Sequence, residues 1–182
     1  MAETEPDPLL LIGRLPPGQA TGEQDAPEPL RLELSADERT RLRGHRRSRC
    51  GQDLLLQLPR GAALEPGEWL ADAAGRLRVR VEAAAEPLLL VSGRDPLALL
   101  RAAYHLGNRH VALQVGEDGL RLLEDPVLEA LLQQLPGLRL ERRLEPFLPE
   151  AGAYGGSHSQ GHDHGHDGHP HAHARALSQQ QP

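Results

Sequence analysis

After Glu150 the chain almost runs out of side chains able to drive burial, so whatever it folds into must be built from the residues before that point. From residue 151 to 182 the composition is Gly, His, Asp, Ser, Ala and Gln with almost no bulky apolar residue, and such a segment cannot offset its own ordering entropy. A disordered tail over 151–182 is therefore expected in the absence of a ligand. The folded part has an unusual resource to work with, because aromatic residues make up only 2% of the chain. Its core must be packed from Leu, Val and Ala.

Composition also removes several kinds of chemistry. All twenty basic residues are Arg, and without Lys neither a Schiff-base mechanism nor a Walker A phosphate loop is available. No Ser/His/Asp arrangement, paired catalytic carboxylates or glycine-rich phosphate loop stands out, and the chain reads as a non-enzyme. The formal charge of −6 gives no overall drive toward nucleic acid or an anionic membrane. The apolar runs fall well short of the roughly 20 residues that span a bilayer, and the acidic start Met1-Ala-Glu-Thr-Glu5 lacks an apolar run behind it. A lone Cys50 forms no internal disulfide, which fits a soluble, cytoplasmic protein.

Two rhythms divide the remaining chain. Residues 1–85 show short runs, Leu9–Leu15, Leu30–Leu34, Leu54–Leu58 and Leu77–Val81, separated by Pro/Gly-rich turns. This predicts a small N-terminal β domain with a mobile N-terminus, suited to protein contacts. Ser35-Ala-Asp-Glu38 is a possible capping box for a short helix. Residues 86–150 predict a strand from Pro87, then a helix opened by Asp95-Pro96, running to about His105 and stopped by Gly107 at a positive φ. Leu97, Leu100, Ala103 and Tyr104 share one apolar face of that helix. A hairpin of Val111–Val115 and Leu120–Leu123, a helix opened by Asp125-Pro126 and a last strand over 138–147 complete a β-α-β-β-α-β order. The fold class read from these patterns is α+β: an N-terminal β domain, a ferredoxin-like βαββαβ domain and a disordered His-rich tail.

Seven of the ten histidines lie in the tail, at His158, His162, His164, His166, His169, His171 and His173. Six of them form two i, i+2, i+4 triplets. In an extended chain, residues two apart project to one side about 7 Å from each other, and the intervening Gly and Asp let the backbone bend imidazoles onto a single ion. Imidazole suits Ni, Cu and Zn, and Asp163 and Asp167 can add oxygen donors. The irregular Gly/Asp/Pro/Ala spacing argues against a purification tag.

The run Arg101-Ala-Ala-Tyr-His-Leu-Gly-Asn-Arg-His-Val111 holds the chain's single Asn. Together with Gln114-Val-Gly116, Asp125-Pro-Val-Leu128, Glu145-Pro-Phe147 and Pro149-Glu-Ala-Gly-Ala-Tyr-Gly155, it resembles the UreE family of urease accessory proteins over roughly residues 87 to 173. The resemblance implies a homodimer in which His110 of each protomer ligates one nickel ion across the two-fold axis, a geometry that doubles any donor placed beside it. It implies a nickel metallochaperone, with Ni(II) as cargo, Zn(II) or Cu(II) as competitors, and tail histidines able to complete the shell. The implied partners are the urease accessory GTPase and the apo-urease maturation complex. The alternative reading is a Ni/Zn buffer or storage protein whose tail sequesters metal.

Other candidates are set aside on the same residues. His105 reads as a packed or hydrogen-bonded histidine at a helix end. Leu122-Leu-Glu-Asp-Pro126 holds no histidine where some family members carry them. The arginines at 39, 41, 43, 46, 47 and 49 come without aromatic stacking partners and read as a solvated face or loop. His45 and Cys50 read as a turn histidine and a free thiol. Gly44-His-Arg-Arg-Ser-Arg-Cys50 lacks the apolar alternation expected of a strand.

Overall fold

The computed structural model describes residues 7–15, 29–75 and 77–151. Eleven strands and three helices follow one another in these segments. The N-terminal half holds β1 (Leu9–Leu11), β2 (Gly13–Leu15), β3 (Leu30–Leu34), α1 (Ala36–Thr40), β4 (Arg43–Arg47), β5 (Asp53–Gln57), β6 (Trp69–Ala71) and β7 (Arg78–Ala83). They form two small sheets, β1-β5-β4 and β2-β6-β7-β3, with β1 and β2 passing from one sheet to the other through Ile12. The single run expected over Leu9–Leu15 is thus two strands. Inside lie ten buried aliphatic side chains, among them Leu11, Leu32, Leu54, Leu56, Leu70 and Val79, and among the described residues no aromatic ring joins this cluster. The low aromatic content is met as expected, by Leu and Val.

Local signals account for the turns. Ser35 Oγ accepts the N–H of Glu38 at 3.2 Å while Glu38 Oε2 accepts that of Ser35 at 3.0 Å, so the capping box does open a short helix. The stretch around residues 40–52 does form a strand despite its polar sequence. β4 pairs antiparallel with β5 at the edge of its sheet, and an edge strand is held by backbone bonds while Arg43, His45 and Arg47 stay in water. His45 accordingly sits on a strand, not in a turn.

The C-terminal half runs β8 (Ala85–Gly93), α2 (Pro96–Gly107), β9 (Gln114–Gly116), β10 (Gly119–Leu123), α3 (Pro126–Gln133) and β11 (Leu138–Pro146). This is the β-α-β-β-α-β order, with sheet order β11-β8-β10-β9 and every pair antiparallel. Both helices start where Asp-Pro predicted. Asp95 accepts the N–H of Leu97 at 2.9 Å, and Asp125 accepts those of Val127 and Leu128 at 2.7 and 3.0 Å. Leu89, Val91, Leu120 and Leu122 pack against Ala102, Leu106 and Leu132 to make the second core. Gly119 is required there: at φ 143 a Cβ would stand 2.1 Å from the Val91 carbonyl oxygen.

The hairpin departs from expectation on its first strand. Val111–Leu113 runs as irregular chain, and the ladder covers Gln114–Gly116 alone. Val111 and Leu113 pack on the α2 core while Ala112 turns to a separate cluster, so the packing side alternates without a ladder partner.

That separate cluster is the seam between the halves. Ala36 of α1, Leu88 of β8 and Phe147 are buried together, with Phe147 fully enclosed. Arg39, read from sequence with the solvated arginines, is instead 7% exposed, and its guanidinium donates to the carbonyls of Leu64 and Phe147. A planar guanidinium can bond two divergent carbonyls at once, which makes its burial tolerable. Glu86 Oε1 accepts the N–H of Ala36 at 2.8 Å, giving the seam a second polar tie.

Candidate metal site

α2 buries a different face from the one its large apolar residues suggest. Ala98, Ala102 and Leu106 are buried, with Leu99 and Ala103 packed beside them. Leu97, Leu100 and Tyr104 are 48%, 66% and 66% exposed. Small residues let the helix lie close to the sheet, and the larger ones are left on the outer surface. At i, i+3 and i+7 those three make a continuous apolar stripe leading toward the helix C-terminus.

The end of α2 also differs from expectation. Gly107 remains helical, and His110 takes the positive φ, at 54°. The His110 N–H donates to the Gly107 carbonyl at 2.9 Å, and the Val111 N–H reaches back to Leu106 at 3.2 Å. This pair of bonds is a Schellman turn with His110 at the left-handed position, and Leu106 and Val111 supply its apolar contact. Glycine is the usual occupant of such a position, and the left-handed conformation costs an L-residue about 1 kcal/mol or more. An exposed imidazole is therefore held just beyond the apolar stripe on a turn that favours a residue without a side chain.

Neighbouring groups shape the same end. The Arg109 guanidinium folds back to donate to the His105 carbonyl at 2.8 Å, placing a cation on the helix C-terminus. His105 is half-buried and meets the Tyr104 ring edge-on at 5.5 Å, in keeping with a packed histidine. The segment after β11 is tied beside this turn. Gln114 Oε1 accepts the N–H of Leu148 at 2.8 Å, and the Leu113 carbonyl accepts that of Glu150 at 2.8 Å. Sequence reasoning did not assign Gln114 this role. Its one trace there is its place in the Gln114-Val-Gly116 match.

Among the described residues, no three His, Cys, Asp or Glu side chains come together to hold a metal. His158, His162, His164, His166, His169, His171 and His173 lie outside the described residues. His45 and Cys50 are exposed, and the Cys50 thiol, bonded to Ser48 Oγ, titrates below its ordinary value. Among the described residues no helix is long and apolar enough to cross a membrane.

Comparison with known proteins bears on these residues directly. Residues 11–84 match the family model for the UreE urease accessory protein N-terminal domain, and residues 86–173 that for its C-terminal domain. A urease accessory protein UreE of Parasynechococcus marenigrum is 58% identical over 127 residues, covering 70% of this chain and 84% of the relative. Those of a Synechococcus species and of Thermosynechococcus vestitus are 58% and 50% identical over 125 residues each, covering 69% of this chain in both cases and 80% and 86% of the relatives. Both halves of the fold and the His110 turn fall within the matched residues, and the chain belongs to the UreE family of urease accessory proteins, with a role in urease maturation.

Proposed function

We propose that this protein is a nickel-binding metallochaperone that delivers Ni(II) for assembly of the urease active site. It works as a homodimer in which two copies of His110 face one ion. The observation that carries this reading is the pairing of an exposed His110 with the uncovered stripe of Leu97, Leu100 and Tyr104 on the helix leading to it. Contiguous exposed apolar surface marks an interaction site, and a two-fold contact along the stripe would bring both His110 turns together. One protomer's described residues supply no chelating set, so further donors have to come from a second copy or from the tail.

The tail is within reach. Glu150 is bonded to Leu113, three residues from His110, a span of at most about 11 Å, and His158 follows Glu150 by eight residues, at most about 29 Å. Tail histidines complete the coordination sphere and collect ions, while few fixed ligands at the shared site leave it open to transfer. Zn(II) and Cu(II) compete, since imidazole accepts all three ions. GTP hydrolysis belongs to the urease accessory GTPase, which meets this protein in the apo-urease maturation complex in the cytoplasm. The protein itself is not an enzyme.

The test is transfer. Nickel-loaded full-length protein is mixed with the apo-urease activation complex and GTP, and both metal location and urease activity are followed. Movement of nickel into urease with the appearance of activity is expected. Retention of nickel on this protein, with urease inactive, would favour a Ni/Zn buffer instead.

A further inference from the structure

Gln114 stands where two parts of the chain that are far apart in sequence cross. In the ladder it pairs with Arg121, and Arg121 pairs with Leu90, so Gln114 lies on the sheet face opposite Leu120 and away from the helices. Leu88 and Leu123 share that open face, and Phe147 is buried there in one cluster with Leu88, Leu123 and Ala112. β11 and β9 are the two edges of the sheet, three interstrand spacings or about 14 Å apart. The chain leaves β11 at Pro146 and passes beneath the open face toward the other edge. There the Leu148 N–H donates to Gln114 Oε1 at 2.8 Å, and the Glu150 N–H to the Leu113 carbonyl at 2.8 Å.

This strap is held by two kinds of anchor. Phe147 is fixed by burial and by the Arg39 guanidinium on its carbonyl, both within the seam between the halves. Beyond it, exposed Leu148 is held through its backbone by the side chain of Gln114, itself half-buried and outside every core cluster. One such bond adds little to global stability. What it sets is the point from which the following chain departs. With the strap in place, that point is beside Leu113, and eight residues separate Glu150 from His158. With the strap released, the last fixed point is Phe147 beneath the middle of the sheet, and His158 is eleven residues away.

We propose that Gln114 is a positioning residue of the shared nickel site: its bond to Leu148 sets the root of the tail beside the His110 turn, where a tail histidine can join His110 on the ion. The inference rests on the nickel reading above and adds a residue whose oxygen is taken by Leu148 rather than offered to the metal. The effective concentration of a tethered donor falls as about the −3/2 power of tether length, and further as the tether's origin recedes from the site. Lengthening from eight residues to eleven gives less than about twofold, and retreat of the origin by one or two strand spacings brings the loss to about threefold.

The experiment uses full-length wild type and Gln114→Leu, and the same pair with all seven tail histidines changed to Ala. Nickel affinity for the tightest ion is measured by competition with a chromophoric chelator. Gln114→Leu should weaken that ion about threefold when the tail histidines are present and leave it unchanged when they are absent. A merely structural role, exerted by disturbing the His110 turn, would weaken both alike. Amide hydrogen exchange of the metal-free proteins gives a second measurement. The Leu148 amide should be protected in the wild type and lose protection in Gln114→Leu, while the amides paired between β8 and β10 stay protected. Equal weakening with and without tail histidines, undiminished affinity in Gln114→Leu, or an unprotected Leu148 amide in the wild type would each overturn the proposal. A wild type that binds no ion shared by two chains would instead overturn the nickel reading, and the proposal with it.

Discussion

The backbone N–H of Val111 donates to the carbonyl of Leu106 across 3.2 Å, and His110, enclosed in that turn, is held at φ 54°. A left-handed non-glycine residue is retained where the surroundings or a function over-determine it. His110→Gly should keep the turn and relieve its strain, whereas His110→Ala keeps the strain and loses the imidazole. The glycine variant is expected to be more stable than the alanine variant by about 1 kcal/mol, read as a higher urea midpoint at unchanged slope. Equal midpoints would mean that the turn tolerates a side chain freely.

The outer face of α2 is expected to hold the dimer together. Leu100, 66% exposed in the protomer, lies in the middle of the apolar stripe. Leu100→Glu should leave the circular dichroism spectrum intact, because the residue makes no part of the core, and shift the species seen by light scattering from dimer to monomer. A wild-type protein that is monomeric with and without nickel, or a Leu100→Glu protein still dimeric at micromolar concentration, would place the contact elsewhere.

Arg39 ties the two halves through the Leu64 and Phe147 carbonyls. Arg39→Met should cost about 2 kcal/mol, because it fills similar volume but leaves two carbonyls in a buried seam without their donor. Thermal unfolding should also broaden or split as the halves lose their coupling. An unchanged Tm would show that the seam rests on Ala36, Leu88 and Phe147 alone.

Acid stability follows from two carboxylates. The Arg121 guanidinium, bonded to both oxygens of Asp118 at 2.8 Å, holds that carboxyl below its usual range, and Arg47 does the same for Asp53. A carboxylate with a depressed folded pKa stabilises the fold above its unfolded value and loses that contribution as pH falls through the folded one. Stability should therefore be level from neutral pH to about 5 and fall below about 4, where unfolded Asp takes up protons first. Urea unfolding at stepped pH checks this, and Arg121→Gln should flatten the acid limb of the profile. An identical acid limb in the variant would remove Asp118 from the account.

How far the sequence disclosed this structure varied with what each residue was responding to. Asp95-Pro96, Asp125-Pro126 and the Ser35–Glu38 box are local hydrogen-bonding devices, and each opened its helix as read. The order of the last six elements was equally legible, since each keeps a single apolar period. Features set by distant partners were not. Leu97, Leu100 and Tyr104 look like a core or interface face, and the structure rules out the core alternative, because the sheet receives Ala98 and Ala102, whose small size allows close approach. Gly107 looked like the helix stop because glycine suits a positive φ, yet the bonds to Leu106 and Gly107 put His110 there. Arg39 looked solvated because nothing in its neighbourhood names Phe147, 108 residues away, as its acceptor. His110 itself was reached through resemblance; the sequence gives no sign of its backbone conformation.

The shared nickel site is tested most directly by equilibrium dialysis of wild-type and His110→Gly protein at limiting nickel, with the glycine variant chosen because it preserves the turn. The wild type should fill a tightest class of one ion per two chains, and the variant should lose that class while keeping weaker ions on the tail. A variant that binds its first ion as tightly as the wild type, with the same stoichiometry, would show that His110 is not the ligand around which the protein is built.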